Sequence, residues 1–596
     1  MSRKAILGLV VVAALAAAYF LNQSTPLTVQ PPVTVTVDDA ATEQPATLAW
    51  DDFVHKAIED YLIAHPAFAV AQGRHEFDGM LPDWSREGIS REIDRLRAVR
   101  EAALAYPAEA LTPEQQYQRE YLVARMDREL FWRFDAGWPF KNPTFYFDWM
   151  TDSLDPAPYI ALDYAPIEER MAAYSRFARN IVVAADQIKA NMQGPLPETY
   201  VNLGYDSFDG FAAFFENDLP AVFASVADEQ LQQEFTQANN AAIAAMEKLA
   251  AHFEALRSTA TDDYAMGPDL FAQMLYDTER VDISLEELEA IGIADLKRNQ
   301  EALADACREF APGETIVDCF ARMADRKAPG GAVEGARTQL GELREFLVEQ
   351  DLVTIPGTEE ALVAESPPYA RSNSAYINIP GPFEKNQPSV YNISPPDPRW
   401  TEEEQQDYIP GEADLLFTSV HEVWPGHFLN FLHANRADWP FGQVFVGYAF
   451  GEGWAHYTEE MMIEAGLRNR SPEVRIGQLS NALLRNCRYL STIGLHTQGM
   501  TVAESEQFFV NDCFQAVGTA RQQASRGTYD PAYLNYTMGK LMIRQLREDW
   551  TASRGGRDAW KEFHDTFLSF GGPPIPLVRG QMMREPAKAV FPVTIQ

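Results

Sequence analysis

The sequence predicts a mainly α-helical protein, and three observations carry that expectation. From Trp50 to about Gln350, apolar residues recur at three- and four-residue intervals with charge between them, the period of amphipathic helices. Prolines and glycines punctuate the pattern at Pro107, Pro113, Gly194-Pro195 and Pro312-Gly313. Strand-like alternation is confined to one proline-rich region, Pro356 to Pro398. The 596 residues, 46 % of them hydrophobic, suffice for a large buried core, as one big domain or as two lobes around a cleft. A formal charge of -37 repels nucleic acid and anionic lipid, and argues against both as partners. By itself it names no cationic substrate, because a negative surface also simply keeps a protein soluble.

Taken in order, Arg3 and Lys4 precede an apolar run from Ala5 to Leu21, followed by polar Asn22 to Pro26. Residues 1–22 therefore read as a secretory signal or a retained N-terminal membrane anchor. Ala16-Ala17-Ala18 supports cleavage, whereas Tyr19-Phe20-Leu21 prolongs the run. Either way the protein is expected to be exported, periplasmic or in the cell envelope, with inner-membrane tethering by residues 5–21 as one outcome. No Cys follows the run, which disfavours a lipid anchor. Residues 23–48, rich in Thr, Pro and Val, read as a disordered tether, and 49–596 as the helical domain.

Helices are predicted over Ile89–Ala105, Pro113–Phe134, Ile167–Met192, Asp228–Leu256 and Leu285–Phe310. His55, His65, His75 and His252 occur singly in this half and are read as structural. The four cysteines fall into two sequence-local pairs, Cys307 with Cys319 and Cys487 with Cys513, which an oxidising compartment would let bridge. Ala375–Ile379 and Ser389–Ile393 alternate as short strands and fit a hairpin. Helical periodicity resumes near Glu412, through Ile476–Leu490 and Thr501–Ala524, and Pro531 opens a further helix carrying Tyr536 and Gly539.

The segment from Ser419 to Glu460 gathers four of the ten histidines. It contains His421-Glu-Val-Trp-Pro-Gly-His427 and, one helix later, Glu452-Gly-Trp-Ala-His-Tyr-Thr-Glu459. Two imidazoles, an adjacent Glu and a later carboxylate are the residue types from which a zinc hydrolase draws its ligands and general base. The spacing is unusual. Pro425 holds the fourth position after His421, and six residues at about 100° each turn His427 roughly 240° around a regular helix. A bulge at Pro425-Gly426 would bring the rings together. A helix ending at Trp424, with a second starting at His427, would leave them unrelated. Glu452, on the next helix, is the expected third ligand. His456 lies on the same face and competes with His427 for that role; His433 reads as structural.

These two segments resemble the H-E-x-x-P-G-H and E-G-W-A-x-Y-x-E signatures of the bacterial family catalogued as domain of unknown function 885. That family is similar to the helical gluzincin metallopeptidases, the group of thimet oligopeptidase and angiotensin-converting enzyme. The resemblance runs from about Trp50 to the C-terminus, and Gln72–Asp78 resembles the family's beginning without suggesting chemistry. It implies a large two-lobed helical fold with a central cleft and a small β-hairpin near the zinc helix. It also implies one Zn2+ per chain on His421, His427 and Glu452, with short peptides as substrates. Glu422 would take a proton from the metal-activated water and pass it to the leaving amine. Glu459 would hydrogen-bond a ligating imidazole and fix its tautomer, or stand solvated beside Glu460. Val390-Tyr391-Asn392 would be the edge strand that pairs with substrate backbone, or part of an ordinary hairpin. Downstream, an Arg, Pro, Tyr and Gly recur in the family; here Gly527 stands where a Tyr commonly follows the Arg, and the Pro-to-Tyr spacing is one residue shorter. Tyr529, Tyr533 and Tyr536 thus all remain candidates for the hydroxyl at the developing oxyanion. Arg526 would bind a substrate carboxylate or salt-bridge an acidic surface. The same residues also suit hydrolysis of an ester or non-peptide amide, or a non-catalytic exported protein braced by zinc.

Overall fold

Several helices begin where the sequence supplies a capping side chain. Ser85 Oγ accepts the Gly88 amide, Asp228 accepts from Gln230 and Leu231, and Thr112 and Ser284 form reciprocal capping boxes with Gln115 and Glu287. Each such cap is worth about 1 kcal/mol. The computed structural model describes residues 48–147, 152–367, 371, 374–398 and 401–584. The expected signal or anchor and the tether through Thr47 lie outside the described residues. No helix among the described residues is long and apolar enough to cross a membrane.

The first half comprises α1 (Trp50–Ala64), α2 (Arg86–Leu104), α3 (Pro113–Leu130), α4 (Ile167–Asn191), α5 (Glu198–Asn217), α6 (Glu229–Leu256), α7 (Pro268–Glu279), α8 (Leu285–Phe310) and α9 (Ala332–Glu349), joined by shorter turns. A π-helical turn at Phe131–Asp135 prolongs α3, which is why the apolar period runs past its end. After a small sheet come α10 (Glu412–Glu422), α11 (His427–Ala434), α12 (Tyr448–Ala465), α13 (Pro472–Ile493), α14 (Val502–Asn511), α15 (Val517–Tyr529) and α16 (Asn535–Thr551). The mainly helical class is as expected.

The interior falls into two hydrophobic clusters. One is built chiefly from α1 to α6, around Tyr61, Leu122, Tyr174 and Phe253. The other runs from Phe131 to Val578 and includes Leu303, Phe417, Trp454 and Leu546. The link between α11 and α12 is clamped in the first cluster, with Phe445 4.9 Å from Tyr61 and Phe441 5.2 Å from Tyr121, ring to ring. That anchoring fixes where α12 starts. Two backbones then touch: a Cβ on Gly453 of α12 would lie 2.5 Å from Gly539 Cα of α16. Below the crossing, fully buried Lys540 reaches Asp295 of α8 at 2.8 Å, and Asn486 of α13 donates to the same carboxylate oxygen at 2.8 Å. Cys307–Cys319 and Cys487–Cys513 are both bridged, the second fastening α13.

The strands give one correction. The expected hairpin exists as β2 (Ala375–Asn378) against β3 (Ser389–Ile393), but β1 (Ala361–Glu365), unforeseen, pairs in parallel on the other side of β3. β3 is therefore central, with both backbone edges used. Tyr391 is fully buried and Asn392 nearly so. Neither can receive a substrate strand, and the free edges belong to β1 and β2.

His65, read as structural, sits in an ionic network in the first cluster. Its Nδ1 contacts Asp152, which also accepts from the Ala67 and Phe68 amides, and its Nε2 lies 2.8 Å from Glu92. Burial disfavours the imidazolium, yet Tyr61, Asp152 and Glu92 outweigh it and raise the group from 6.5 to about 10. Because the folded value is raised, its stabilisation is fully present below pH 6.5 and is lost as pH rises towards 10. Thermal melts are expected to show His65→Gln less stable than the wild type at pH 6.5 by an amount on the order of a few kcal/mol, the gap narrowing by pH 10. A gap independent of pH would show that the imidazolium is not the stabilising form.

Candidate metal centre

The turn after α10 decides the site. α10 stops at Glu422 and α11 starts at His427, so the expected bulge within one helix is replaced by two helices. The imidazoles nevertheless meet, with ring centroids 4.8 Å apart. Gly426 explains this: its amide donates to Val420 O at 2.9 Å, and a Cβ there would fall 1.8 Å from His421 O. Only glycine lets the turn fold onto the end of α10 and carry His427 back beside His421.

α12 supplies the carboxylate. Glu452 Oε2 lies 3.2 Å from His421 Nε2 and 3.3 Å from His427 Nε2, and it makes no proper hydrogen bond to either. Donors about 2.0–2.1 Å from a tetrahedral zinc ion stand roughly 3.3 Å from one another. His421 Nδ1 contacts Glu459 Oε1 at 2.8 Å; if it donates there, its Nε2 lone pair points at the Glu452 carboxylate. Two lone pairs facing each other in a buried site call for a cation between them. Without one, His421 must itself be charged: burial and Arg485 lower it, but Glu452 and Glu459 raise it to about 9. Among the described residues, His421, His427 and Glu452 are the one group arranged to hold a metal ion.

Glu459 is completely buried and acts as a hub. It contacts His421, His456 Nδ1 at 3.3 Å and Arg485 at 3.4 Å. Burial opposes its charge, but Arg485 and His456 hold it far below the usual carboxylate range. His456 thus faces Glu459 and stands outside the ligand group, and His433 bonds Thr354 O at 2.8 Å. Glu460 pairs with Arg298 and Arg544, so the two adjacent glutamates are not a solvated pair. Glu459→Gln is expected to weaken zinc binding about 10- to 100-fold in competition titrations with a chelator. Unchanged affinity would reduce Glu459 to a packing role. Glu422, the last residue of α10, is raised by burial and by Glu452, against His427 and His421.

Of the three candidate tyrosines, Tyr536 is the one placed against the ligand group. Its hydroxyl donates to Glu452 Oε1 at 3.0 Å, and its ring is 6.3 Å from that of His421. Tyr529 packs instead on Tyr200 at 6.4 Å, and Tyr533 is buried with its hydroxyl towards Gln523 O. Of the two readings of Arg526, the salt bridge is the one present: it pairs with partly exposed Asp530 at 2.8 Å and donates to Tyr448 Oη at 3.1 Å. The sequence reading missed Arg485, Arg488 and Tyr448. The first two were detectable as arginines three apart, hence on one face, in a helix otherwise rich in apolar residues.

A model of a family described as bacterial protein of unknown function (DUF885) matches residues 66–582. The chain belongs to this family. Two solved structures share the DUF885 chain's fold. One, a candidate lipoprotein of unknown function from Shewanella oneidensis, superposes with TM-score 0.73 at 21 % identity, covering 90 % of this chain and 100 % of its own. The other, a candidate lipoprotein from Colwellia psychrerythraea, gives 0.74 at 16 % identity, covering 90 % and 98 %. No match is found among curated proteins.

Proposed function

We propose that this DUF885 protein is an exported zinc-dependent peptidase acting on short peptides, with a gluzincin-like set of ligands. The observation that carries the reading is the convergence of His421, His427 and Glu452, with Glu422 next to the first of them and the Tyr536 hydroxyl 3.0 Å from the third. His421, His427 and Glu452 would hold the ion, leaving room for water. Bound there, zinc would supply Lewis acidity and lower the pKa of a water molecule towards neutrality. Glu422 accepts the proton of the attacking water and delivers it to the departing amine. Tyr536 turns its hydroxyl from Glu452 to the oxygen that becomes negative as the carbonyl is attacked. The backbone-pairing role expected of β3 passes to β2, a half-exposed edge strand packed against α10. Export is supported by the basic-apolar-polar N-terminus, the two bridged cysteine pairs and the candidate-lipoprotein description of both structural neighbours.

Metal analysis of protein purified without added metal, coupled to digestion of a mixed peptide library, tests the reading. The expected result is one zinc per chain and cleavage that a chelator stops and zinc restores. A chain without stoichiometric metal, or a zinc-loaded chain inert on every peptide, would overturn it.

A further inference from the structure

Three guanidinium groups lie near Tyr536, and they are not equivalent. Arg485 has Glu459 as counter-ion at 3.4 Å, and Arg526 has Asp530 at 2.8 Å. Arg488 differs. Its Nε donates to the neutral amide of Gln523 at 2.8 Å, and among the described residues no carboxylate lies within ion-pairing distance of it. The residue is only 8 % exposed, and its guanidinium carbon stands 4.9 Å from the Tyr536 ring centroid. Burial and the nearby Arg526 both work against its charge. A buried cation lacking a counter-ion is destabilising, because burial removes its hydration and no opposite charge replaces it. That cost is relieved when a ligand brings the anion, and a planar guanidinium matches a carboxylate bidentately.

The reach is right for one particular anion. The Tyr536 ring lies 6.3 Å from that of His421, and an extended peptide advances about 3.3–3.6 Å per residue. With Arg488 4.9 Å from the Tyr536 ring, it stands no more than about 11 Å from the His421 ring, a span covered by a carboxylate one to three residues beyond a bond held at the ligand cluster. We propose that Arg488 receives the free C-terminal carboxylate of the substrate, so that the protein works from the C-terminus of short peptides and releases one to three residues at a time. This rests on the peptidase reading for the bond cleaved, but not for the carboxylate contact.

The test uses peptide pairs identical except for a free acid or an amide at the C-terminus. Turnover is measured with the zinc-loaded wild type, Arg488→Gln and Arg488→Lys, and calorimetric binding with Glu422→Gln, alone and combined with Arg488→Gln. The wild type is expected to prefer the acid by at least about 30-fold in kcat/KM. Arg488→Gln should lose that preference through a raised KM for the acid alone, with zinc content unchanged, and Arg488→Lys should recover part of it. Equal cleavage of acid and amide by the wild type overturns the proposal. So does an equal loss on both in Arg488→Gln, which would make Arg488 a positioning residue for Tyr536. Should no peptide be cleaved, calorimetry still decides: tighter binding of the acid, abolished with Arg488→Gln, sustains the carboxylate site while the peptidase reading fails, and equal binding sinks the site. If Arg488→Gln does not fold, Arg488→Lys carries the same comparisons, with an undiminished acid preference as the overturning result.

Discussion

Glu422→Gln is expected to lower peptide hydrolysis by about 10²–10⁴-fold, the range set by removing a positioned general base. Zinc content should stay at one per chain, because the amide has the shape of the carboxylate and the three ligands are untouched. Stability should hold or rise slightly. Burial raises the Glu422 carboxyl, so its charged form is disfavoured by the fold, and a neutral amide avoids that desolvation. Metal analysis, thermal unfolding and turnover on one peptide together check this. Full activity in the zinc-loaded variant would remove Glu422 from the chemistry, and loss of zinc along with activity would make it a ligand in place of a base.

Gly453→Val should destroy the same site without touching a ligand. The added Cβ would lie 2.5 Å from Gly539 Cα and 2.7 Å from Gly539 C, both backbone atoms that cannot rotate away. α12 and α16 must then separate, and overpacking of this kind costs at least about 1–3 kcal/mol. The helix being pushed carries Glu452 and Glu459, while its partner carries Tyr536, so zinc affinity should collapse with the melting temperature. Gly210→Ala in α5 is the control. A Cβ there meets nothing within 4 Å, and alanine in place of glycine inside a helix stabilises by about 0.5–1 kcal/mol. If Gly453→Val kept both zinc and melting temperature, the close crossing would not exist in solution.

Periodicity determined the helices and, for some of them, a cap, because both act within a few residues: Ser85, Thr112, Asp228 and Ser284 stand at the starts of their helices, and the apolar spacing gives their extent. The ligand residue types were equally local. The sequence by itself therefore determined a mainly helical scaffold and a His-Glu-His-Glu set that needed only to be brought together. What brings it together is tertiary. Gly426 folding onto the carbonyl of His421, β1 arriving to cover the second edge of β3, and the Gly453–Gly539 contact all join segments whose proximity no spacing rule encodes. The position of Tyr536 and not Tyr529 beside Glu452, the capture of Arg526 by Asp530 and the pairing of Arg488 with a neutral amide were decided the same way. A side chain's chemistry is written in its own residue, but its role depends on which charges and hydroxyls the rest of the chain places within a few ångströms of it.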